Sequence, residues 1–232
     1  MEPIDTETFE RQGFLVISNF CSPLEIDQLQ LECGFLLELG QRRSCIYEPV
    51  GAALLEQSPQ EARWAMDEYK QLRTRYPLGR GTLEILFSEK MRRVVEAFLG
   101  SDARLFNEQF IVKPHNSGME GCFGWHRDSD SLNDTNIPYI SIWIALDDVT
   151  LDNGCLVVED TAQGCAHRAL EIPNGSAVVM SHLLLHTSGE NKTRFQRRAW
   201  MPQFSKGPIM SSVNNNLPVS LAIPMCIPSS SS

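Results

Sequence analysis

The sequence predicts a mainly β fold carrying helices on its N-terminal side, and three observations predict it. The first 102 residues show helix-type punctuation and apolar spacing, whereas from about residue 103 the chain breaks into short β-type runs separated by Gly, Asn, Asp and Pro. Strands so short and so closely spaced point to a sandwich or jelly roll. The length of 232 residues, 42% of them hydrophobic, suits one domain with a substantial core. We therefore expect a single domain over 1–232: a helical, substrate-side region at 1–102, the β core at 103–204 and an irregular tail at 205–232.

Taken in order, Thr6 to Arg11 reads as a short helix before the strand-like Gly13-Phe14-Leu15-Val16-Ile17. Ser22-Pro23 opens a longer helix, with serine as the cap and proline in the first turn, running through Ile26, Leu29 and Leu36. Segments 59–75 and 88–99 also read as helices, the second ended by Gly100. Candidate strands are 105–113, 139–147, 155–158, 176–180, 182–187 and 197–204. Side chains alternate along a strand, so Tyr139, Ser141, Trp143 and Ala145 share one face and Ile140, Ile142, Ile144 and Leu146 the other. The isoleucine face would pack on the helices and the mixed face would suit a cavity. The tail, rich in Ser, Asn and Pro, could fold over the barrel mouth.

The formal net charge of −9 argues against nucleic acid and anionic membranes as partners, because both select basic patches. Seven scattered cysteines never form a Cys-x-x-Cys pair, which fits a reducing compartment rather than a disulfide or zinc framework. With no basic-apolar leader and no long apolar run, a soluble cytoplasmic protein is expected, monomeric or homodimeric.

Chemistry concentrates in two segments. Gly124-Trp125-His126-Arg127-Asp128 places an imidazole and a carboxylate two residues apart, so in extended backbone both point the same way. Taken alone, such a pair is common beside a solvated acidic run. A further histidine stands in His182-Leu183-Leu184-Leu185-His186, where either imidazole could complete a set of two histidines and one carboxylate. Such a set on one face of an ion leaves other positions open, as in non-haem Fe(II) oxygenases. Arg197 and Arg198 face opposite sides of a strand, so only one can reach the interior and hold a carboxylate through its planar fork. Ser188 could add a hydroxyl donor, and Trp143 a wall. His115 and His167 read as structural or surface residues.

Together these segments resemble the phytanoyl-CoA dioxygenase family of Fe(II)- and 2-oxoglutarate-dependent oxygenases. The likeness also takes in Phe9-Glu10-Arg11-Gln12-Gly13-Phe14-Leu15-Val16-Ile17 with Asn19-Phe20, Lys113-Pro114, Asp152-Asn153-Gly154-Cys155-Leu156-Val157-Val158, and His186-Thr187-Ser188-Gly189-Glu190-Asn191-Lys192-Thr193. It covers residues 6–33 and 103–204. The resemblance implies a double-stranded β-helix (jelly-roll) core, with His126, Asp128 and His186 as iron ligands. It selects Arg197 as the anchor of the far carboxylate of 2-oxoglutarate, with Ser188, Trp143 and Gln109 as further contacts. Thr187 stands where the family has glycine, a departure that would narrow the pocket. Asp128 itself disfavours the related halogenases, which lack this carboxylate.

The expected activity is a dioxygenase reaction, with hydroxylation of a small-molecule C–H bond, dioxygen as oxidant, succinate and CO2 as co-products, and ascorbate as a stimulant. The competing expectations are a non-catalytic binding protein on the same fold and a cupin-like metalloenzyme that does not use 2-oxoglutarate. Substrate selection is expected in the first half, the 129–138 loop and the tail. Trp64, Arg73, Arg75 and Arg80 are candidates to meet an anionic substrate, though solvated helix arginines are the simpler reading of the last three.

Overall fold

The computed structural model describes residues 3–40, 45–50, 52–75, 79–131, 137–160, 166–211 and 216–225. Residues 132–136 of the expected specificity loop, 212–215 and 226–232 of the tail, Cys165 and Cys226 lie outside the described residues. The helical part comprises α1 (Thr6–Gln12), α2 (Pro23–Leu39), α3 (Ala52–Glu56), α4 (Met66–Arg73), α5 (Gly79–Leu86) and α6 (Glu89–Leu99). Ser22 caps α2 in a reciprocal capping box with Glu25, and Ser88 caps α6 by accepting the Met91 amide. None of the described helices is long and apolar enough to cross a membrane.

The strands are β1 (Phe14–Ile17), β2 (Ile46–Tyr47), β3 (Arg104–Lys113), β4 (Phe123–His126), β5 (Tyr139–Ala145), β6 (Leu156–Asp160), β7 (Ala166–Leu170), β8 (Ala177–Ser181), β9 (His186–Ser188), β10 (Arg197–Ser205) and β11 (Ile223–Pro224). They form a larger antiparallel sheet in the order β1-β8-β5-β10-β3-β11, with β2 also on β3, and a smaller one in the order β4-β9-β6-β7. This is a jelly roll. The inner faces of the two sheets meet: Trp143, Val178, Met180, Ala199 and Met201 of the larger pack with Leu156, Val158 and Leu170 of the smaller. Ile140, Ile142 and Ile144 turn the other way, onto Ile26, Leu29 and Cys33 of α2 and Val94 and Val95 of α6, as the alternation predicts.

The structure departs from the sequence reading in places with identifiable causes. Segment 59–75 is a 3-10 turn at Gln60–Arg63 and then α4, divided at the extended Ala65. The Arg63 carbonyl accepts the Ala222 amide at 2.7 Å from the tail, so it is not left to continue a helix. Segment 182–187 is largely a turn: β8 ends at Ser181, Leu184 N–H donates back to the Ser181 carbonyl at 3.0 Å, and β9 begins only at His186. The leucines between are the crossover from the larger to the smaller sheet, with Leu184 in the inner core and Leu183 exposed. In the described tail, Leu221, Ile223 and Met225 join the core shared by helices and sheet, and β11 pairs with β3.

Candidate active site

Two histidines meet because two short strands pair. β4 lies antiparallel to β9 with His126 opposite His186, an irregularity separating that pair from Phe123 opposite Ser188. The imidazole centroids stand 4.2 Å apart. The His126 Nδ1 lies 2.8 Å from the Gly124 carbonyl and the His186 Nδ1 3.0 Å from the Leu184 carbonyl. A carbonyl accepts only, so each Nδ1 carries a proton, and it is Nε2 that can present a lone pair to a metal. Burial, ahead of the neighbouring His126, pulls the His186 pKa down against the pull of Asp128, favouring the neutral ligating form.

Asp128 is not extended as the His-x-Asp spacing led us to expect. It opens a 3-10 turn at Asp128–Ser131, and that turn swings its carboxylate back toward both rings. Its Oδ1 lies 3.9 Å from His126 Nε2 and 3.7 Å from His186 Nε2, too far for hydrogen bonds but converging on one point. One donor atom from each of His126, Asp128 and His186 lies within 4.8 Å of the others, so the three could hold a metal ion. Two neutral imidazoles and a carboxylate suit a divalent transition metal.

A cavity of about 110 Å³ opens on these groups. Ile46, Ile111, Phe123, Leu156, Met180 and Met201 give it apolar walls, and Gln109, Trp143, Ser188 and Arg197 complete the lining. The candidates His126, Asp128, His186, Arg197, Ser188, Trp143 and Gln109 therefore all line one space. Arg197 begins β10, whose inward row continues through Ala199, Met201 and Gln203. Its guanidinium is buried and lies 5.3 Å from the Trp143 ring, and Nη2 donates to the Gly154 carbonyl at 3.3 Å. Nε and Nη1 have no protein partner. Burial, only partly offset by the charge of Asp147, holds its pKa down to about 10. Arg198 turns outward and is clamped by Asp147 through Nε at 2.9 Å and Nη2 at 2.6 Å. An orphaned guanidinium in the same cavity as a metal-type donor set fits an anion that reaches both.

The remaining candidates separate cleanly. His182 stacks on Tyr139 with centroids 4.9 Å apart and does not line the cavity. His167 packs against Trp125 outside it. Thr187 does not narrow the cavity: its hydroxyl donates to the Phe123 carbonyl at 2.7 Å, between the inward His186 and Ser188. Arg73 is neither solvated nor open to a substrate. It is fully buried, with Glu32 and Glu108 on its guanidinium and with Tyr69, Thr82 and Trp200 completing the carboxylates' hydrogen bonds. Arg75 and Arg80 are exposed and Trp64 is half-buried, none of them on this cavity.

Three contributors were not singled out from sequence. Ser141 and Gln203 donate to the other oxygen of Asp128. Lys113, buried under Ser188, donates to the carbonyls of Gly121, Ser188 and Gly189 and so ties the approach to β4 to the end of β9. Ser141 and Gln203 were visible only as inward positions of their strands, while Lys113 was noted for its resemblance alone.

Solved structures share the fold. The non-heme alpha-ketoglutarate-dependent carbocyclase SnoK from nogalamycin biosynthesis superposes with a TM-score of 0.66 at 14% identity, over 86% of this chain and 81% of that one. The epimerase SnoN from the same biosynthesis gives 0.61 at 14%, over 84% and 78%. EctD from S. alaskensis, solved with 2-oxoglutarate and 5-hydroxyectoine, gives 0.63 at 18%, over 86% and 74%. No curated protein matches by sequence. The model of the phytanoyl-CoA dioxygenase (PhyH) family matches residues 9–199, and the chain belongs to that family.

Proposed function

We propose that this protein is a non-haem Fe(II)- and 2-oxoglutarate-dependent dioxygenase that hydroxylates a small-molecule metabolite. One observation carries the reading: the buried Arg197, with Nε and Nη1 unpartnered, faces the cavity onto which His126, Asp128 and His186 converge. When bound, iron(II) with 2-oxoglutarate and dioxygen supplies an oxidant able to break an unactivated C–H bond, with succinate and CO2 as co-products. His126, Asp128 and His186 would hold the metal, leaving other positions for exogenous ligands. Arg197 would take the far carboxylate on an unpartnered nitrogen of its guanidinium, with Ser188 beside it. Trp143 would keep the guanidinium facing inward, and Gln109 would add a polar contact. The apolar walls exclude water from the remaining space. EctD, a neighbour in fold, was solved with a hydroxylated compound, which supports hydroxylation as the outcome. A small free metabolite, such as an amino-acid derivative or natural-product intermediate, suits an acidic protein with a small cavity.

The test is succinate and CO2 formation with Fe(II), ascorbate and 2-oxoglutarate under air, followed by mass-spectrometric screening of metabolite pools for the gain of one oxygen. Turnover of 2-oxoglutarate that requires all components is the expected result. Metal binding without affinity for 2-oxoglutarate would instead support a cupin-like metalloenzyme. Binding of both without turnover of any pool would support a non-catalytic binding protein.

A further inference from the structure

We infer that Ser141, Gln203 and Asn107 form a positioning relay that fixes the carboxylate of Asp128, an inference that rests on reading His126, Asp128 and His186 as a metal site. Two of the three ligands are held by strands. His126 and His186 sit opposite each other on β4 and β9, and each has its Nδ1 on a backbone carbonyl. Asp128 stands on a short 3-10 turn, without a strand ladder to hold it. Its Oδ1 faces the two imidazoles, so its orientation depends on what grips Oδ2.

Oδ2 meets a row of polar side chains laid across the centre of the larger sheet. Ser141 on β5 is the register partner of Gln203 on β10, and Gln203 is the partner of Asn107 on β3. The Ser141 hydroxyl donates to Asp128 Oδ2 in a short hydrogen bond. Gln203 Nε2 donates to Ser141 Oγ at 2.9 Å and reaches Asp128 Oδ2 at 3.4 Å. Asn107 Nδ2 donates to Gln203 Oε1 at 3.0 Å.

The proton inventory fixes the direction of this row. A serine hydroxyl has one proton, which goes to Asp128, and its lone pair takes the Gln203 N–H. The Gln203 amide cannot turn over without setting its oxygen against a carboxylate and its NH2 against the NH2 of Asn107. Ser141 is fully buried and Gln203 nearly so, so water competes little for these two donors. With Oδ2 occupied by two donors, Asp128 offers a single oxygen to an ion, which keeps a further coordination position free for exogenous ligands.

Groups that orient ligands in this way change metal affinity by about 10- to 100-fold when removed. Titration of the metal-free protein with Co(II), in place of oxidisable iron, should show a loss of that size for Ser141→Ala and for Gln203→Leu. Ser141→Thr, which keeps the hydroxyl, should restore it, and Asn107→Leu should give a smaller loss because it only loosens the far end of the Gln203 amide. The cobalt d–d absorption should change in Ser141→Ala and Gln203→Leu as the second carboxylate oxygen is released. Wild-type affinity and spectrum in both variants would overturn the relay while leaving the metal site intact. Failure of the wild-type protein to bind cobalt, or equal binding by Asp128→Ala, would instead overturn the reading of the site. Should Ser141→Ala not fold, Gln203→Leu decides the matter, since it removes the second donor without touching the first.

Discussion

Replacing Arg197 by methionine should weaken the binding of one ligand and leave the metal-free protein as stable as before, or more so. In the metal-free protein the guanidinium is wholly buried, stacks on Trp143 at 5.3 Å, and makes one hydrogen bond, to the Gly154 carbonyl at 3.3 Å. Holding it charged there, with a pKa drawn down to about 10, costs on the order of 3 kcal/mol. The folded value lies below the ordinary one, so this cost is present in full below about pH 10 and is relieved only as the pH rises through that value. Methionine removes the cost but loses a ring contact of about 1 kcal/mol and a hydrogen bond of about 1 kcal/mol. The net expectation is a gain of about 1 kcal/mol, which raises the melting temperature by about 2–4 °C in a chain of this size. For 2-oxoglutarate the balance reverses. A charge-assisted hydrogen bond from an unpartnered guanidinium nitrogen, worth about 1.5–3 kcal/mol, disappears, and Kd should rise at least about 10-fold. Co(II) affinity should stay within about threefold, because Arg197 is no part of the donor set. Anaerobic calorimetric titrations and melting curves read both effects. A melting temperature lowered by about 5 °C or more with unchanged 2-oxoglutarate affinity would refute the assignment and make Arg197 a structural residue.

Three other perturbations test the scaffold around the site. Gly154→Ala should destabilise the protein by about 2 kcal/mol or more in urea titrations and weaken 2-oxoglutarate binding, because φ there is +80° and a Cβ would lie 2.5 Å from the Gly189 carbonyl oxygen, next to Ser188. Metal-free stability should rise between about pH 7 and the ordinary lysine range, since burial first and Arg197 second hold the Lys113 pKa down to about 7. The cost of its charge is complete below about 7 and fades above it; Lys113→Met should flatten this part of the stability profile, whatever its effect on overall stability. Arg73→Met should cost about 3–5 kcal/mol by denaturant unfolding, because Glu32 and Glu108 would be left buried without their cation.

The sequence was most legible where alternation and punctuation coincide. Ser22 announced the start of α2 and Gly100 the end of α6, and the Ile140/Ile142/Ile144 row announced the face on which the helices lie. Alternation around Arg197 and Arg198 required one to turn inward, and the structure supplies Asp147 as the partner of the other. The choice between His182 and His186 was not legible from local pattern, because an apolar run crossing between two sheets reads the same as a buried strand. Helix α5 was missed because Gly79 and Gly81 lower its propensity. The structure gives the reason for Gly79, where a Cβ would lie 2.6 Å from the Arg73 carbonyl oxygen. Arg73 itself was unreadable, since its carboxylate partners stand 41 and 35 residues away on other elements. Ser141 and Gln203 were predictable as inward residues, but their alignment with Asn107 depends on strand register rather than on any local motif.

Among the described residues, two fully buried arginines give the clearest physical distinction between scaffold and site. Arg73 and Arg197 are both shielded from water, so both bear the desolvation of a guanidinium. At Arg73, Glu32 from α2 and Glu108 from β3 outweigh that effect and push the pKa well above its ordinary value, locking the helical layer to the larger sheet. At Arg197 nothing outweighs it, and the pKa falls. The same burial thus produces opposite shifts, and the sign records whether the protein has supplied the counter-charge or left it to a ligand. The two methionine substitutions should accordingly move the melting temperature of the metal-free protein in opposite directions, down for Arg73→Met and up for Arg197→Met. Adding 2-oxoglutarate to the Co(II)-loaded proteins should further stabilise wild type and Arg73→Met and have little effect on Arg197→Met. Destabilisation of the metal-free protein to the same extent by both substitutions would mean that Arg197 has a partner within the fold, and the argument for an anion at that end of the cavity would fail.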